Sequence, residues 1–511
     1  MIKKATLYFP TPFPYFRPWK GVPLSLLATS RVLDKQGYEL KIISRFLSDS
    51  PEREILREAK DSLCLGISVM TGFQIYDGLK IARLVKKAYP KIPIVWGGWH
   101  PSILPEQTLK DKNVDIVVAG QGDRTFPELV ETLKKGKSLK DIPGVVYKQN
   151  GKIITNSPCP LEDVNNLPPL PYHLVDVEKC IFGTEYGKRT IPYISSYGCP
   201  HRCGFCVEQI VNKRKWVAVK AEKVVEEWQY LVKKYGADSI AIYDSNFFVD
   251  KQRVYDICRG LIKKKIKIKW GNANGRIPQL IQYEPEIWEA MEKSGCAMIL
   301  TGAESGSQEA LDFIHKDMNI EQIVEFTRLC KKYHIRILYS LLVGLPWSKN
   351  PTENKKLIDR EYDITLSLID YLFRINNRNR FTYYIFLPYP GAPLFDRAVK
   401  LGLKQPKNLG EWSTYLMSPE DAFKTVSRQK WITPKQARLT AMLTQYIFGL
   451  MDPDTYDVLK ERVPKGIKRF LFIVTYKIGQ GFVKLRWRFK FFGLPLDYWI
   501  FAFFHKYGGL V

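Results

Sequence analysis

Three cysteines, Cys199, Cys203 and Cys206, lie within the short segment YGCPHRCGFCVEQ (197–209). They directly follow a predicted strand, so their thiolates can converge on one centre at the end of that strand. Thiolates are the usual ligands of iron–sulfur clusters, and a set of three leaves one iron of a cubane open to another ligand. Zinc is the alternative, but it normally takes four ligands, and His201 would have to supply the fourth from inside the same loop.

The composition indicates which class of protein contains this loop. The chain has 511 residues, is 45% hydrophobic and has nine cysteines, which predicts two or three globular domains. The first residues predict a strand over Ala5–Phe9 rather than a signal peptide. The sequence contains no run of about 18 apolar residues, so no membrane-spanning helix is predicted. We therefore expect a cytoplasmic protein, in which clustered cysteines indicate metal binding or catalysis rather than disulfides.

The first 150 residues alternate strand-like apolar runs with amphipathic helical runs. Strands are predicted over Ala5–Phe9, Glu39–Ile43, Leu63–Val69, Ile92–Trp96 and Asp115–Val118, and helices over Leu24–Gln36, Ile75–Lys87 and Phe126–Lys134. This order is typical of a Rossmann-like, doubly wound parallel sheet, which binds ligands outside the carboxyl ends of its strands. The candidate binding residues at those ends are Ser68, Thr71, Gly97, Gly98, His100, Gly120 and Gly122.

A proline-rich linker is predicted over residues 151–178, and a second β/α series follows over residues 179–400. Its six predicted strands are Ile191–Ser196, Ser239–Tyr243, Ile266–Trp270, Met298–Gly302, Arg336–Val343 and Tyr383–Leu387. Six such units favour a partial (β/α)6 TIM-like barrel with its active site at the carboxyl ends of the strands. Residues 401–511 are irregular, aromatic and basic, and we assign them to substrate or membrane association.

The cysteine motif, with Phe205 before its last cysteine, resembles the signature of the radical S-adenosylmethionine (SAM) superfamily. The segments GGWHPS (97–102) and VDIVVAGQGDRTF (114–126) are similar to the cobalamin-binding-type domain found in its class B methyltransferases and anaerobic cyclases. The resemblance covers residues 1–400. It implies a 4Fe–4S cluster on the three cysteines, whose open iron binds SAM. It also implies cleavage of SAM to a 5′-deoxyadenosyl radical that removes hydrogen from an unreactive carbon.

Other positions match the same family, each at the end of a predicted barrel strand. The resemblance implies that Asp244 and Asn246 lie near the SAM amino group, and that Glu304 and Ser305 contact the ribose or the amino acid part. A turn or a helix cap is the alternative for these polar residues. The remaining matches are Arg276, whose guanidinium could pair with a carboxylate, and Gly344, in a turn under the adenine.

The sequence has no Asp-x-His-x-x-Gly motif to place a histidine on cobalt, since none of its six histidines follows an aspartate by two positions. The resemblance nevertheless favours cobalamin, because relatives bind a corrinoid without that ligand and the glycine-rich strand ends are present. His100 would then contact the edge of the corrinoid or serve a structural role. The alternative is a front domain used only for packing or for substrate.

The C-terminal region carries much of the formal net charge of +26, which predicts an anionic partner. In FVKLRWRFKFF (482–492) apolar and cationic residues alternate, which predicts a strand with one apolar and one cationic face. An anionic membrane surface at the inner face of the membrane is the first interpretation, packing against the barrel the second, and RNA the third.

The leading hypothesis is a radical SAM enzyme that methylates or cyclises an unactivated carbon of a lipid-like or tetrapyrrole-like substrate. Its expected partners are that substrate and a reducing electron donor such as flavodoxin or ferredoxin; nucleic acid is not expected. One alternative is a tRNA-modifying methylthiotransferase-like enzyme, but that would need three more clustered cysteines in the first domain, where only Cys64 precedes the linker. The other is a non-enzymatic iron–sulfur or zinc scaffold at the membrane.

Overall fold

The computed structural model describes residues 3–12, 21–415, 426–452 and 465–493, together with residues 456, 460, 463, 495–499 and 501. The protein is an α/β fold in which a mainly parallel sheet is followed by a curved series of six parallel strands, as the sequence predicts.

The front unit is a seven-stranded sheet with the order β2-β1-β3-β4-β5-β6-β7. The first five strands are parallel, and the last two form an antiparallel hairpin at the edge. Its strands are β1 (Lys4–Phe9), β2 (Glu39–Ser44), β3 (Leu65–Ser68), β4 (Ile94–Gly97), β5 (Ile116–Val118), β6 (Val145–Gln149) and β7 (Lys152–Thr155). Strand β2 is added on one side of β1, whereas β3 and the strands after it are added on the other side. This switch in strand order leaves a crevice at the carboxyl ends of β1 and β3.

Helices cover both faces of the front sheet, so its central strands are almost continuously buried. The helices are α1 (Leu24–Lys35), α2 (Pro51–Ala59), α3 (Phe73–Ala88), α4 (Trp99–Ile103), α5 (Pro105–Leu109) and α6 (Gly122–Lys134). Helices α1 and α6 share one apolar core with the sheet, and α2 and α3 share the other. The strands and helices predicted for this unit are present, with ends shifted by a few residues.

The second unit contains six parallel strand positions in sequence order. They are β9 (Gly187–Tyr193), β12 (Ser239–Ile242), the pair β13 (Lys269–Gly271) and β14 (Ala273–Asn274), β15 (Met298–Glu304), β16 (Arg336–Val343) and β17 (Arg380–Ile385). A parallel bridge between Trp270 and Cys296 links the two halves of this curved sheet. The predicted partial (β/α)6 barrel is therefore confirmed. Three short strands accompany it: β8 (Phe182–Thr184), β10 (Ser196–Gly198) and β11 (Trp216–Ala218).

Helices alternate with the barrel strands and bury one apolar face each. They are α7 (Val177–Cys180), α8 (Glu208–Val211), α9 (Ala221–Tyr235), α10 (Lys251–Lys263), α11 (Ile277–Leu280), α12 (Pro285–Ser294), α13 (Gln308–Phe313), α14 (Ile320–Lys332), α15 (Pro351–Ile375) and α16 (Phe395–Lys400). Between the two units, the chain forms 3-10 turns at Val164–Asn166 and Tyr172–Leu174.

After the barrel the chain returns to the front unit before forming further helices. A 3-10 turn, Leu409–Thr414, packs Trp412 against the front sheet, where the indole N–H donates to Gln107 Oε1 at 2.5 Å. The helices that follow are α17 (Pro434–Ala441), which continues through π-helical Met442–Ile447 into α18 (Phe448–Met451), and α19 (Ile467–Phe489).

The strand predicted over 482–492 is wrong, because Phe482–Phe489 form the last two turns of α19. Alternation over a few residues is compatible with a helix when apolar residues also recur three or four positions apart over a longer window. Here Phe470, Val474, Ile478, Phe482, Leu485 and Phe489 do so. Within the described part of the chain, no helix combines the length and the apolar character needed to cross a bilayer.

Candidate functional site

The cysteine loop, residues 199–215, lies between two short strands at the carboxyl end of β9. Strands β10 and β11 pair antiparallel, with Gly198 opposite Trp216, and so close the base of the loop. Within it, the Cys206 amide N–H donates to the Cys203 carbonyl at 3.0 Å, and Gln209 Nε2 donates to the same carbonyl at 2.9 Å. The loop is therefore a shaped turn that presents three thiols from one short stretch of backbone.

Gly204, at the centre of the loop, ties it to the barrel. Its N–H donates to the Ile314 carbonyl at 2.7 Å, and its carbonyl accepts from the Leu394 N–H at 3.1 Å. Arg202 adds an exposed ion pair with Asp317 at 3.0 Å. The ends of α13 and α16 thus fix the loop from outside.

The chemistry of the three thiols fits a cationic iron–sulfur centre. Burial raises the pKa of Cys206 to about 12, and it raises the pKa of Cys199 as well, with a further contribution from the charge of Cys203. The thiolate forms therefore need a positive partner, which a metal cluster supplies. Within the described residues, no three His, Cys, Asp or Glu side chains form a group that could hold a single metal ion.

Asp244, at the end of β12, is buried and fastens the segment that leads into the loop. Its carboxylate accepts from the Ser195 N–H at 2.7 Å, from Ser195 Oγ at 2.6 Å and from Ser196 Oγ at 2.6 Å. Arg253 Nη2 donates to Ser195 Oγ at 2.8 Å, which completes a buried charged network. The Asp244 carboxylate is thus engaged mainly by protein groups.

Asn246 and Arg276 reach the inner side of the cysteine loop. Asn246 Nδ2 lies 4.0 Å from Cys199 Sγ and donates to Gln279 Oε1 at 3.1 Å. Arg276 is buried, with its Nε and Nη2 atoms lacking a protein acceptor. Burial, together with the nearby Arg276 charge, lowers the pKa of His201 to about 4. An unpaired, buried guanidinium beside this loop is suited to an anionic ligand group such as a carboxylate.

Glu304 and Lys316 form a buried ion pair beside the loop. Lys316 Nζ donates to Glu304 Oε1 at 2.6 Å and lies 5.9 Å from the centre of the Phe205 ring. Burial alone would lower the pKa of Lys316, but the charges of Glu304 and Cys203 hold it above its usual value. Gly302 makes room for the pair, since a Cβ there would lie 1.9 Å from Glu304 Oε1.

Ser305 and Gly344 are at the ends of β15 and β16. The Ser305 hydroxyl accepts from the Ser307 N–H at 3.1 Å, while Ser307 Oγ caps α13. Gly344 has φ +83° and its carbonyl accepts from Trp431 Nε1 at 2.9 Å. A buried carboxyl group, Glu361 of α15, accepts from Trp347 Nε1 at 3.3 Å on the same side of the barrel.

Burial raises the pKa of Glu361 from 4.5 to about 7, although hydrogen bonds from Ser305 and Trp347 oppose this shift. Between those pH values the folded chain keeps a proton that the unfolded chain has released, so stability falls as pH rises through this window. Glu361→Gln should therefore raise the free energy of unfolding at pH 8 by up to about 3 kcal/mol, and by much less at pH 5. Thermal unfolding of both proteins at the two pH values measures this difference.

The exposed Glu325 of α14 provides the matched control for that experiment. Glu325→Gln should leave the pH dependence of the unfolding temperature unchanged. An equal shift for Glu361→Gln at pH 5 and pH 8 would contradict a titrating buried carboxyl.

A cavity of about 440 Å³ separates the strand ends of the front sheet from the start of the cysteine loop. Five of the predicted binding residues line it on the front side: Ser68, Gly97, Gly98, Gly120 and Gly122. Ser196, Tyr197 and Glu208 line it on the barrel side. Gly98 has φ +95°, and a Cβ there would lie 2.6 Å from the Val69 carbonyl oxygen, so only glycine fits this rim.

Thr71 and His100 are the two predicted front-unit residues that are absent from the cavity lining. His100 Nδ1 lies 3.1 Å from Thr71 Oγ1, and the imidazole packs 5.6 Å from the Trp412 ring. Burial lowers the pKa of His100 to about 3, so this side chain is neutral. The structure therefore places His100 in the packing between the front unit and the turn Leu409–Thr414.

Sequence reasoning missed Lys316, Arg253, Glu208 and Glu361, which the fold brings to the same region. Glu361 lies in a helix and Lys316 in the loop between α13 and α14, and charged residues at both kinds of position normally face solvent. Glu208 is two positions after the last cysteine, a spacing that could have drawn attention to it. Burial raises its pKa, and Asn212 Nδ2 donates to its Oε2 at 2.9 Å.

Two family models match the two halves of this arrangement. One, described as a B12 binding domain, matches residues 19–130, and the other, described as the radical SAM superfamily, matches residues 193–354. A three-cysteine loop at the top of a partial barrel, facing a cavity under a Rossmann-like sheet, thus defines an enzyme of the radical SAM class.

Individual relatives agree with both matches. An uncharacterized methyltransferase of Pyrococcus horikoshii is 30% identical over 402 residues, which cover 77% of this chain and 82% of the relative. An anaerobic magnesium-protoporphyrin IX monomethyl ester cyclase of Rubrivivax gelatinosus is 26% identical over 355 residues, which cover 68% of this chain and 60% of that one. The solved structure of the radical SAM methyltransferase TsrM from Kitasatospora setae, with cobalamin and a 4Fe–4S cluster bound, matches with a TM-score of 0.64 at 16% identity, over 81% of both chains.

The chain belongs to the cobalamin-dependent radical SAM family of methyltransferases and cyclase-like enzymes. The predicted cofactors, a 4Fe–4S cluster, SAM and cobalamin, are the cofactors of that family, and the enzyme hypothesis is confirmed over the non-enzymatic scaffold.

Proposed function

We propose that this enzyme methylates or cyclises an unactivated carbon of a hydrophobic, lipid-like or tetrapyrrole-like substrate. The observation that carries the proposal is the cavity between the glycine-rich strand ends and the loop of Cys199, Cys203 and Cys206. When bound, the cluster, SAM and the corrinoid supply radical hydrogen abstraction and methyl transfer. Residues 1–150 would hold the corrinoid, and residues 179–400 would hold the cluster and SAM.

On the cluster side, the three cysteines are the proposed ligands and the residues around them position the loop. Asp244 holds the Ser195–Ser196 segment through three short hydrogen bonds, so we assign it a positioning role. The Asn246 side-chain amide points its Nδ2 at Cys199 Sγ, 4.0 Å away. An N–H group directed at sulfur favours the thiolate form. Both residues are buried, so they keep water away from the proposed ligands.

For SAM, the proposed contacts are polar groups that converge on the loop from neighbouring strands. Arg276 offers two unpaired N–H groups to the SAM carboxylate. Glu304 and Ser305 would face the amino or ribose groups, with Lys316 fixing the Glu304 carboxylate through their 2.6 Å ion pair. Phe205 and Gly344 would bound the adenosine part.

The electron donor and the location of the enzyme belong to the same proposal. A reducing protein such as flavodoxin or ferredoxin is the proposed donor, since a chain with a formal net charge of +26 attracts acidic partners. We retain a cytoplasmic location, in which clustered thiols stay reduced.

If the corrinoid binds in this cavity, a larger side chain in the cavity wall should reduce its binding. Gly97 ends β4 and lines the cavity, and a Cβ there meets nothing closer than the Val118 carbonyl oxygen at 3.6 Å. Gly97→Leu should therefore fold normally but fill part of the 440 Å³ space, and cobalamin retained after gel filtration should fall about tenfold or more. Cobalamin absorbance per chain measures the loss.

Gly97→Ala is the graded control for that variant, because one methyl group at this position makes only ordinary van der Waals contacts. It should retain most of the cobalamin. The 4Fe–4S absorbance should be unchanged in both variants, and equal cobalamin content in all three proteins would exclude this cavity as the corrinoid site.

The reaction itself can be tested with deuterated SAM. Anaerobically reconstituted enzyme, a chemical reductant and CD3-labelled SAM are incubated with a total lipid extract or with tetrapyrrole esters. A methyltransferase replaces one hydrogen atom of the substrate with a CD3 group, so the product gains the mass of CD3 less that of one hydrogen atom. A cyclase yields a product that has lost hydrogen and carries no label. Absence of 5′-deoxyadenosine under every condition would refute the radical mechanism for this chain.

A further inference from the structure

Helix α19 presents apolar side chains on two opposite faces. One face packs against the barrel through Phe472, Tyr476, Val483 and Trp487, all less than a tenth exposed. The Trp487 indole N–H donates to Asp370 Oδ1 of α15 at 2.9 Å, and its ring lies 5.9 Å from Phe448 of α18. This face anchors the helix, so the opposite face points to solvent.

The opposite face is an apolar stripe made of Phe470, Val474, Ile478, Phe482, Leu485 and Phe489. These side chains are 39% to 69% exposed and recur every three or four residues along a helix of 23 residues. Of the 17 large apolar side chains exposed in the described residues, 11 lie between 467 and 499. Isolated exposed apolar residues need no explanation, but a continuous stripe marks an interaction surface.

The charged residues of helix α19 itself are all positive. Between Ile467 and Phe489 there are six lysines and arginines and no acid. Lys477, Lys484 and Arg488 are exposed and lie along one flank of the stripe, with Lys484 about two turns after Lys477 and Arg488 about one turn further on. The exposed Trp499 and Leu496 add apolar groups close to the C-terminal end of the helix.

We propose that the apolar stripe of α19 binds the interface of an anionic lipid bilayer, with the helix axis in the membrane plane. An apolar face flanked by lysine and arginine is suited to this interface, where side chains enter the acyl boundary and cations meet phosphate groups. The opposite face stays attached to the barrel, so the enzyme is docked without a spanning segment. The inference goes beyond the proposed reaction and requires none of its cofactors.

Charge complementarity favours a bilayer over a second copy of the chain. A twofold dimer would place the same stripe against itself and bring the flanks of two helices together. Each helix would bring the exposed Lys477, Lys484 and Arg488 to that interface, and it has no acid between residues 467 and 489; its Arg486 is already paired with Asp497. Like charges brought together at such an interface oppose association, whereas anionic headgroups neutralise them.

The test is co-sedimentation of the full chain with vesicles of phosphatidylcholine alone or mixed with phosphatidylglycerol. The wild-type chain should bind the anionic vesicles and only weakly the neutral ones. Phe482→Ser with Leu485→Ser should reduce the partition coefficient about a hundredfold or more, since two apolar side chains that would enter the bilayer are lost. Lys484→Gln with Arg488→Gln should reduce it about fivefold per removed charge.

Ile262→Ser, which changes an exposed apolar residue of α10, is the matched control and should bind like the wild type. Circular dichroism should be unchanged in all variants, because each altered side chain is exposed in the folded protein. Equal vesicle binding by wild type and stripe variant would overturn the proposal. So would a wild-type dimer that the stripe variant converts to monomer without any change in vesicle binding, or binding of RNA in place of anionic vesicles.

Discussion

Cys203→Ala should yield a folded protein without the 4Fe–4S absorbance and without the ability to form 5′-deoxyadenosine from SAM. Cys203 is the central thiol of the loop, and its carbonyl accepts hydrogen bonds from the Cys206 N–H and from Gln209. Replacing its Sγ removes one of three proposed iron ligands, and two thiolates cannot hold a cubane that keeps one iron open. Iron and sulfide content, absorption spectra and SAM turnover measure the effect.

The control for this experiment is Cys159→Ala, which alters a half-buried thiol behind the front-sheet cavity. The Cys159 thiol donates to the Gln121 carbonyl at 3.2 Å, far from the cysteine loop in sequence. This variant should keep both the cluster and SAM cleavage. If Cys203→Ala retained the cluster, or if anaerobically purified wild-type protein held zinc in place of iron, the ligand assignment would be wrong.

Lys316→Met should destabilise the barrel by about 3 to 5 kcal/mol, because it leaves the Glu304 carboxylate buried without its partner. The side chains of Lys316 and Glu304 are 7% and 8% exposed, and their 2.6 Å contact lies beside Phe205. Urea unfolding followed by tryptophan fluorescence measures the loss. The dissociation constant for SAM should also rise, since Glu304 loses the contact that orients it.

A double variant separates the ion pair from simple packing. Adding Glu304→Gln to Lys316→Met removes the unpaired charge, so much of the lost stability should return while SAM binding stays weak. Arg202→Met is the surface control: its ion pair with Asp317 at 3.0 Å is exposed, and its loss should cost less than about 1 kcal/mol. Additive effects of Lys316→Met and Glu304→Gln would contradict the coupling.

The sequence predicts those residues of the site that lie together on one strand and the loop directly after it. The cysteine spacing and the glycines after β4 and β5 are local signals, and each lies where a parallel strand ends. The pairs Asp244 with Ser195 and Glu304 with Lys316 depend on how separate strands and helices meet. No periodic pattern in the sequence indicates contacts between residues so far apart in the chain, and these contacts are therefore evident only from the structure.

The C-terminal region shows the opposite failure, in which a local signal was misleading. Residues 482–492 alternate as a strand would, but residues 482–489 form the end of helix α19. In the helix, Val483 and Trp487 become neighbours four residues apart and pack on the barrel, while Leu485 turns outward. The helical period is evident only when the pattern is followed back to Phe470.

The turn Leu409–Thr414 has a consequence for how the cavity is loaded. Trp412 follows the barrel in sequence but packs beside His100 of helix α4 in the front unit, and Tyr415 donates to the Pro388 carbonyl at 2.7 Å. The turn therefore joins the two units at a second point besides the segment between them. As long as these aromatic contacts persist, the two units cannot rotate apart about that segment. A large ring-shaped molecule in the cavity should therefore meet two walls whose relative position is already set, so that its binding should not require the two units to close around it.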